Sequence, residues 1–364
     1  MRNISRRTQK RLKEAFYIIA SHFSSYFQDQ VLKQSGYRPK DINFHSLDPV
    51  AIVGRHRKLH LFEVNFSSEM GFHKSKLAIK VFDNLDKVLQ EATGNQILRS
   101  VLEGQSEIQT PQLLYYSKEY QLIVYEGLYA EEFENFKLAE NDKFYFAGRS
   151  LGSVHNRDLK NVDLQRYYTF IDKIFTILFE KYTKLIPKNT LELIRDRLVQ
   201  EIEERLFYCY GGSRSFGDFH PGNIMFGRGE DKEKNKIKIF LIDPEFIEDC
   251  IETPCVDRFE DIGTFFAKIG LEEYVRTNGS LINTKKIVKS FLNGYNSKYE
   301  DIKVRIEHIY PRGKSLEFQM ILAIMFDVLY YLNREENNDW LKQMVTARLA
   351  YINTLFMHPF DILD

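Results

Sequence analysis

Leu12, Phe16, Ile19, Phe23 and Phe27 recur every three or four residues, which gathers them on one face of a helix. They predict a helix over about residues 5–34. Between about residues 48 and 83 the period shortens to that of extended chain. In the last such run, Leu77–Phe82, the residues Leu77, Ile79 and Val81 alternate with Ala78, Lys80 and Phe82. A helical pattern then runs from Leu85 to Leu102. Two further strands are expected at Leu113–Ser117 and Gln121–Glu126, joined by the polar turn Lys118–Tyr120. After Gly127 helical spacing dominates. Leu191, Ile194, Leu198, Ile202 and Leu206 form a stripe, with Arg195, Arg197, Glu201, Glu203, Glu204 and Arg205 on the other side. Two short strands, Asn223–Phe226 and Ile237–Ile242, bracket a polar loop. From Phe259 onward the pattern is helical again and includes Phe318–Asn333 and Trp340–Phe356. The fold class read from these periods is α+β, a small β-rich N-terminal part followed by a larger, mainly helical one. A hinge is expected near Glu126–Leu128.

Composition narrows the class without naming a function. The 364 residues carry 51 Lys+Arg and 51 Asp+Glu, with 19 Gly, 9 Pro and 3 Cys, which excludes collagen-like, disulfide-scaffold and wholly disordered chains. Zero net charge argues against a nucleic acid as main partner, because neutralising phosphates needs a basic surplus. The average conceals an asymmetry. Residues 1–40 hold nine basic side chains and two acidic ones, a local excess of +7, so the remainder carries −7. Contact of this basic segment with an anionic membrane surface or a phosphorylated glycan competes with the plainer reading of a solvated helix face opposite the aromatic stripe. Cys209, Cys250 and Cys255 are expected as reduced thiols in a cytoplasmic protein. Met320–Leu332 is interrupted by Asp327 and is expected to be a core helix rather than a membrane span.

The chemistry concentrates in Ser215–Met225, which reads Ser-Phe-Gly-Asp-Phe-His-Pro-Gly-Asn-Ile-Met, and in Phe240–Phe246, Phe-Leu-Ile-Asp-Pro-Glu-Phe. An acid and an amide stand five residues apart in a loop, and a second acid leaves an apolar strand. This arrangement suits phosphoryl transfer. One carboxylate orients or deprotonates a hydroxyl, while an amide oxygen and the second carboxylate hold Mg²⁺ against nucleotide phosphates. Pro221 and Gly222 favour a fixed turn that aims Asp218 and Asn223 together.

In these residues the sequence resembles the aminoglycoside phosphotransferase/choline kinase-like superfamily, small-molecule relatives of the protein kinases. The Asp243-Pro-Glu-Phe246 variant looks like the form in methylthioribose kinases. The resemblance implies a bilobal protein-kinase-like fold. Its divisions would be a basic helical extension (1–45), a nucleotide-binding N-lobe (46–127) and a helical C-lobe carrying the catalytic loop and substrate site (128–364). It implies ATP and Mg²⁺ as cofactors, Asp218 as catalytic base, and Asn223 and Asp243 as metal ligands. Lys80 in Ala78-Ile-Lys80 would meet the phosphates, steered by Glu91 eleven residues later, with Lys76 as the rival lysine. Glu126 and Leu128 would line the adenine-binding hinge through backbone groups. Asp261 resembles the aspartate that braces the catalytic loop, and His155 is expected to be a packed structural histidine.

Two positions depart from the pattern. Val53-Gly-Arg-His-Arg-Lys58 stands where a glycine-rich phosphate loop is expected and has one glycine, and Phe216 precedes Gly217 where the family usually has histidine. His220 matches a common family residue and would orient the loop or contact substrate. Between Asp243 and Asp257 there is too little chain for a peptide-docking activation segment, which disfavours a protein kinase. The expected activity is phosphorylation of a small-molecule hydroxyl on an amino sugar, amino alcohol or sugar. The alternatives are a kinase for a lipid-linked or cell-surface glycan sugar and an ATP-binding pseudokinase. Acidic residues after the hinge (Glu126, Glu131, Glu132, Glu134, Glu140, Asp142) and after the metal acid (Glu245, Glu248, Asp249, Glu252) would suit a cationic acceptor or form a solvated surface. Oligomeric state is not legible.

Overall fold

A computed structural model describes residues 14, 17–19, 21–53, 59–155, 160–205, 210–228, 236–248, 255–298, 314–334 and 339–357. Leu12, Phe16, six of the nine basic residues of the N-terminal segment, residues 54–58, Leu206, Asp249 and Glu252 lie outside them. The chain divides into two units, Met1–Ala130 with Gly227–Glu245, and Glu131–Phe226 with Phe246–Asp364.

The first unit contains helix α1 (Ser24–Ser35) and strands β1 (Asn43–Val53), β2 (Leu59–Ser68) and β3 (Gly71–Val81). These are followed by helix α2 (Leu85–Val101) and strands β4 (Ile108–Gln109), β5 (Leu113–Ser117) and β6 (Leu122–Glu126). Five of the strands form an antiparallel sheet in the order β1-β2-β3-β6-β5. Because side chains alternate across a strand, the sheet has two distinct faces. One buries Phe62, Val64, Phe66, Leu77, Ile79, Leu122 and Val124 in a single cluster with Ile19, Phe23, Phe27 and Val31. The segment expected as a separate N-terminal extension therefore shares the core of this unit. Its aromatic stripe needs an apolar surface, and the sheet supplies one. The opposite face packs Ile123 and Tyr125 with Phe82 and with Val88 and Ala92 of α2. Asn84 caps α2 by accepting the Asp86 amide at 2.7 Å. Strand β7 (Ile237–Leu241) runs parallel to β4, with Ile239 opposite Ile108.

The second unit is mainly helical. Among its described residues are α3 (Glu140–Val154), α4 (Leu164–Lys181), α5 (Lys188–Arg205), α6 (Phe259–Arg276), α7 (Ile282–Asn296), α8 (Lys314–Arg334) and α9 (Asp339–Met357). The α5 stripe is buried as the spacing requires, with Leu191, Ile194, Leu198 and Ile202 at the interior. Helix α8 contains one stretch, Leu316–Asn333, long and apolar enough to cross a membrane, but two-thirds of it is buried within the protein (67 %). Its Asp327 receives the Arg348 guanidinium of α9 at 2.8 Å from Nε. Cys255 is disulfide-bonded, which corrects the expectation of three reduced thiols. Cys209 and Cys250 are both outside the described residues.

Helices α3 and α7 meet backbone to backbone. A Cβ at Gly148 would collide with the Phe291 carbonyl, and one at Gly294 with the Tyr145 carbonyl. At Gly152 it would lie 2.8 Å from the Tyr295 carbonyl. Glycine at these positions allows the two axes to approach and brings the C-terminal end of α3 beside Tyr295. Gly148→Ala is expected to lower unfolding free energy by about 1–3 kcal/mol, the cost of overpacking a tight interface, measured by denaturant titration.

Candidate active site

In the first unit an ion-paired cluster is built from three separate stretches of chain. Lys80 lies on β3 opposite Ile123, and Ala78 lies opposite Tyr125. The alternation puts Lys80 on the face that meets α2, away from the Leu77–Ile79 cluster. There its ammonium donates to Glu91 Oε2 and, at 3.1 Å, to Asp243 Oδ1. Glu91 is completely buried, because it projects from the same face of α2 as Val88, Ala92 and Leu98. Its other oxygen, Oε1, accepts the Tyr125 hydroxyl at 2.8 Å. Burial works against the Lys80 ammonium, but the carboxylates of Glu91 and Asp243 outweigh it and hold its pKa above the ordinary value. Burial is likewise the largest influence on Glu91 and raises its pKa, with Lys80 and Tyr125 pulling it back down.

Asp243 follows β7 with a left-handed backbone, φ 56°. Few side chains accept this region, and aspartate is among them. The reversal at the end of a buried strand leaves the carboxylate 43 % exposed while it still reaches Lys80. Lys76 has a different environment, over the Tyr129 ring at 4.4 Å, so the buried Glu91 and the half-exposed Asp243 both belong to Lys80. At the end of β6 the Glu126 side chain turns back to accept the Gln112 amide at 2.8 Å. The Gly127 amide donates to the Lys76 carbonyl at 2.8 Å, whereas the Leu128 amide has no hydrogen-bond partner among the described residues.

The second unit carries the acid–amide loop. Phe216 and Phe219 are fully buried, and Phe219 packs against Phe265 of α6 with ring centroids 5.4 Å apart. Between these anchors Gly217 is left-handed, φ 87°, and a Cβ there would collide with the Phe246 carbonyl. The turn aims Asp218 outward, with 38 % of its side chain exposed. Pro221–Asn223 forms one helical turn whose start is capped by His220 Nδ1, which accepts the Gly222 amide at 3.0 Å. His220 Nε2 is thereby left to carry the proton and faces Asp218 Oδ2 at 3.5 Å. Asn223 donates from Nδ2 to the Asp218 carbonyl at 2.9 Å, and its Oδ1 has no partner among the described residues. The acid and the amide five residues apart are thus joined in one turn.

Asp261 holds this loop from the first turn of α6. Its Oδ2 accepts the Phe216 amide at 2.7 Å, and its Oδ1 accepts the Gly217 amide at 2.8 Å. The same carboxylate accepts a hydrogen bond from His155 Nε2–H at 3.0 Å, while His155 Nδ1 accepts the Tyr295 hydroxyl at 2.6 Å. A neutral ring satisfies both partners. Accordingly burial lowers the His155 pKa, and the opposing pull of Asp261 does not reverse it. Phe216 fits because its ring is used for packing while its amide serves Asp261.

Sequence reasoning missed three contributors. Tyr125 was read only as part of a strand, although its register opposite Ala78 aims it at α2. Tyr295 carried no motif. Lys268 reaches Asp218 Oδ1 at 3.4 Å. The signal for it was spacing, since Lys268 lies two helical turns beyond Asp261 and so on the same face of α6. Burial raises the Asp218 pKa, but His220 and Lys268 outweigh it and the net shift is downward. Of the acidic residues after the hinge, Glu131, Glu132, Glu134, Glu140 and Asp142 are exposed, and of those after Asp243, Glu248 is engaged by Arg166 at 2.6 Å.

No protein-family model and no curated protein sequence matches the chain. Solved structures do. The choline kinase LicA from Streptococcus pneumoniae aligns with a TM-score of 0.52 at 13 % identity, over 93 % of this chain and all of that one (100 %). The GDP complex of aminoglycoside 2'-phosphotransferase-IIIa gives 0.51 at 10 % identity, over 92 % and 99 % of the two chains. The GDP and kanamycin complex of APH(2")-IIIa gives 0.51 at 11 % identity, over 89 % and 97 %. The chain therefore has the protein-kinase-like fold of these small-molecule kinases, with a β-rich and a mainly helical unit.

Asp261→Asn replaces an acceptor oxygen by an amide that cannot accept, leaving at least one buried donor unpaired. A loss of about 2 kcal/mol or more is expected, measured by denaturant unfolding. His155→Ala in the same background should add less than its cost in the wild type, because both act through one network.

Proposed function

We propose that the protein is an ATP- and Mg²⁺-dependent phosphotransferase that phosphorylates a hydroxyl group of a small molecule. The observation that carries this reading is the partnering of Lys80. A buried ammonium is costly, and here it is retained between a fully buried glutamate and a half-exposed aspartate. A lysine kept charged and rigid in this way suits nucleotide phosphates. Glu126 and Leu128 would bind the base through backbone groups, for which the Leu128 amide has no partner among the described residues. Asp243 and the Asn223 Oδ1 are hard oxygen donors suited to magnesium, which supplies charge neutralisation of the phosphates when bound. Among the described residues no three His, Cys, Asp or Glu side chains converge on a metal site. Magnesium tolerates this, since it takes few protein ligands and fills its remaining positions with phosphate oxygens and water.

Asp218 would receive the acceptor hydroxyl. Its lowered pKa keeps it ionised and makes it a weak base, so its main contribution is alignment of the attacking oxygen, with proton acceptance late in the transfer. Lys268 and His220 keep its carboxylate oriented while leaving it exposed. The acceptor class extends from amino sugars and amino alcohols to neutral sugars, by analogy with the choline and aminoglycoside kinases that share the fold.

A metabolite-library screen with purified protein and labelled ATP, with GTP in parallel, tests the reading directly. Asp218→Asn should reduce transfer by about 10²–10⁴-fold while Mg-ATP affinity stays within about threefold, a change of less than roughly 0.7 kcal/mol. Asp243→Ala should weaken Mg-nucleotide binding measured by calorimetry. A wild type that binds Mg-ATP and transfers phosphate to no hydroxyl in the library would favour a binding module instead.

A further inference from the structure

We infer that Tyr125 is a positioning residue that couples recognition of the nucleotide base to the grip on its phosphates. The inference rests on the nucleotide-binding reading above and adds to it a residue and a task. Tyr125 is the penultimate residue of β6, directly before Glu126 and three residues before Leu128, whose amide has no hydrogen-bond partner among the described residues. It pairs across the sheet with Ala78, two residues from Lys80 on the same strand and therefore on the same face. The small Ala78 side chain leaves room for the phenol to lie along the sheet toward α2. There it donates to Glu91 Oε1 at 2.8 Å, and both residues are buried.

Glu91 has two oxygens and two uses for them. Oε2 receives Lys80, and Oε1 receives Tyr125. With 0 % of Glu91 exposed, no water replaces a lost donor. Removing the hydroxyl leaves a buried carboxylate oxygen unpaired, and the carboxylate is then free to turn so that both oxygens compete for Lys80. In the native arrangement the phenol fixes the carboxylate plane, and the carboxylate fixes the ammonium. A displacement of the β6 terminus, where the base would dock, would pass through the Tyr125 and Glu91 side chains to the lysine that would hold the phosphates. Phe82, Val88, Ala92 and Ile123 pack around Tyr125 and keep the ring itself in place without the hydroxyl.

The test separates base binding from phosphate binding. Calorimetry would measure the affinity of wild type and Tyr125→Phe for Mg-ATP and for adenosine, which presents the same base without phosphates. The expected result is a roughly ten- to hundredfold loss for Mg-ATP, the scale of a buried hydrogen bond to a charged group, with adenosine affinity unchanged. In a Glu91→Gln background the same substitution should cost less than about threefold. A merely structural role for Tyr125 would move both ligands together and overturn the inference. Equal Mg-ATP affinity in wild type and Tyr125→Phe would overturn it as well. A wild type that binds neither ligand would instead sink the nucleotide-binding reading on which it rests.

Discussion

A charge removed from water must be met by opposite charge or by donors, and that constraint organises both units of this protein. Isolated, the Glu91 carboxylate would be expelled from the interior or neutralised. It stays because Lys80 and Tyr125 take its two oxygens. Asp261 is buried on the same terms, with two backbone amides and His155 around one carboxylate. Lys80 and Tyr125 come from different strands, and the amides of the acid–amide loop and His155 from different parts of the second unit. The need to satisfy one carboxylate therefore fixes α2 relative to β3 and β6, and in the other unit fixes the acid–amide loop relative to α3, α6 and, through Tyr295, α7. Breaking a buried pair of this kind typically costs about 3–5 kcal/mol, far more than any single surface contact.

The parts of this arrangement legible in the sequence were those governed by local period. Strand Leu113–Ser117 and the start of α2 at Leu85 appear where the alternation and the helical spacing put them. Lys80 was legible because a lysine within an apolar alternation demands a partner, and Glu91 because the helical segment it opens eleven residues later could supply a carboxylate, as the family resemblance implies. Asp218 and Asn223 were legible as an acid and an amide on either side of a Pro-Gly turn. What remained hidden depends on tertiary register. Tyr125 looks like any strand aromatic until its pairing with Ala78 is known. Tyr295 reaches His155 only because glycines let α3 and α7 touch. Lys268 shares a face of α6 with Asp261, but that spacing does not name Asp218 as its partner until the position of the loop is known. The N-terminal helix was readable as a helix, but its place in the first core was not, since an aromatic stripe does not specify which surface will cover it.

Two stretches distant in sequence share the burden of the Lys80 cluster, since Asp243 arrives 163 residues after the lysine it contacts. The strand before it, β7, pairs with β4 and so belongs to the first unit despite its late place in the chain. This return of the chain makes the first unit discontinuous. A fragment ending at Ala130 would contain the sheet and α2, yet it would leave Lys80 facing Glu91 without its second carboxylate.

The left-handed backbone at Asp243 places two independent filters on one position. Conformation admits glycine, asparagine and aspartate at little cost, and most other residues at more than that. Electrostatics beside Lys80 asks for a negative charge, which glycine and asparagine lack and which glutamate carries on a chain poorly suited to this backbone region. Only aspartate passes both. Neighbouring positions such as Ile239 are filtered by volume alone, and several aliphatic side chains satisfy that requirement. Tolerance to substitution around the end of β7 is therefore uneven by construction, wide along the strand and narrow at Asp243, two residues past its end.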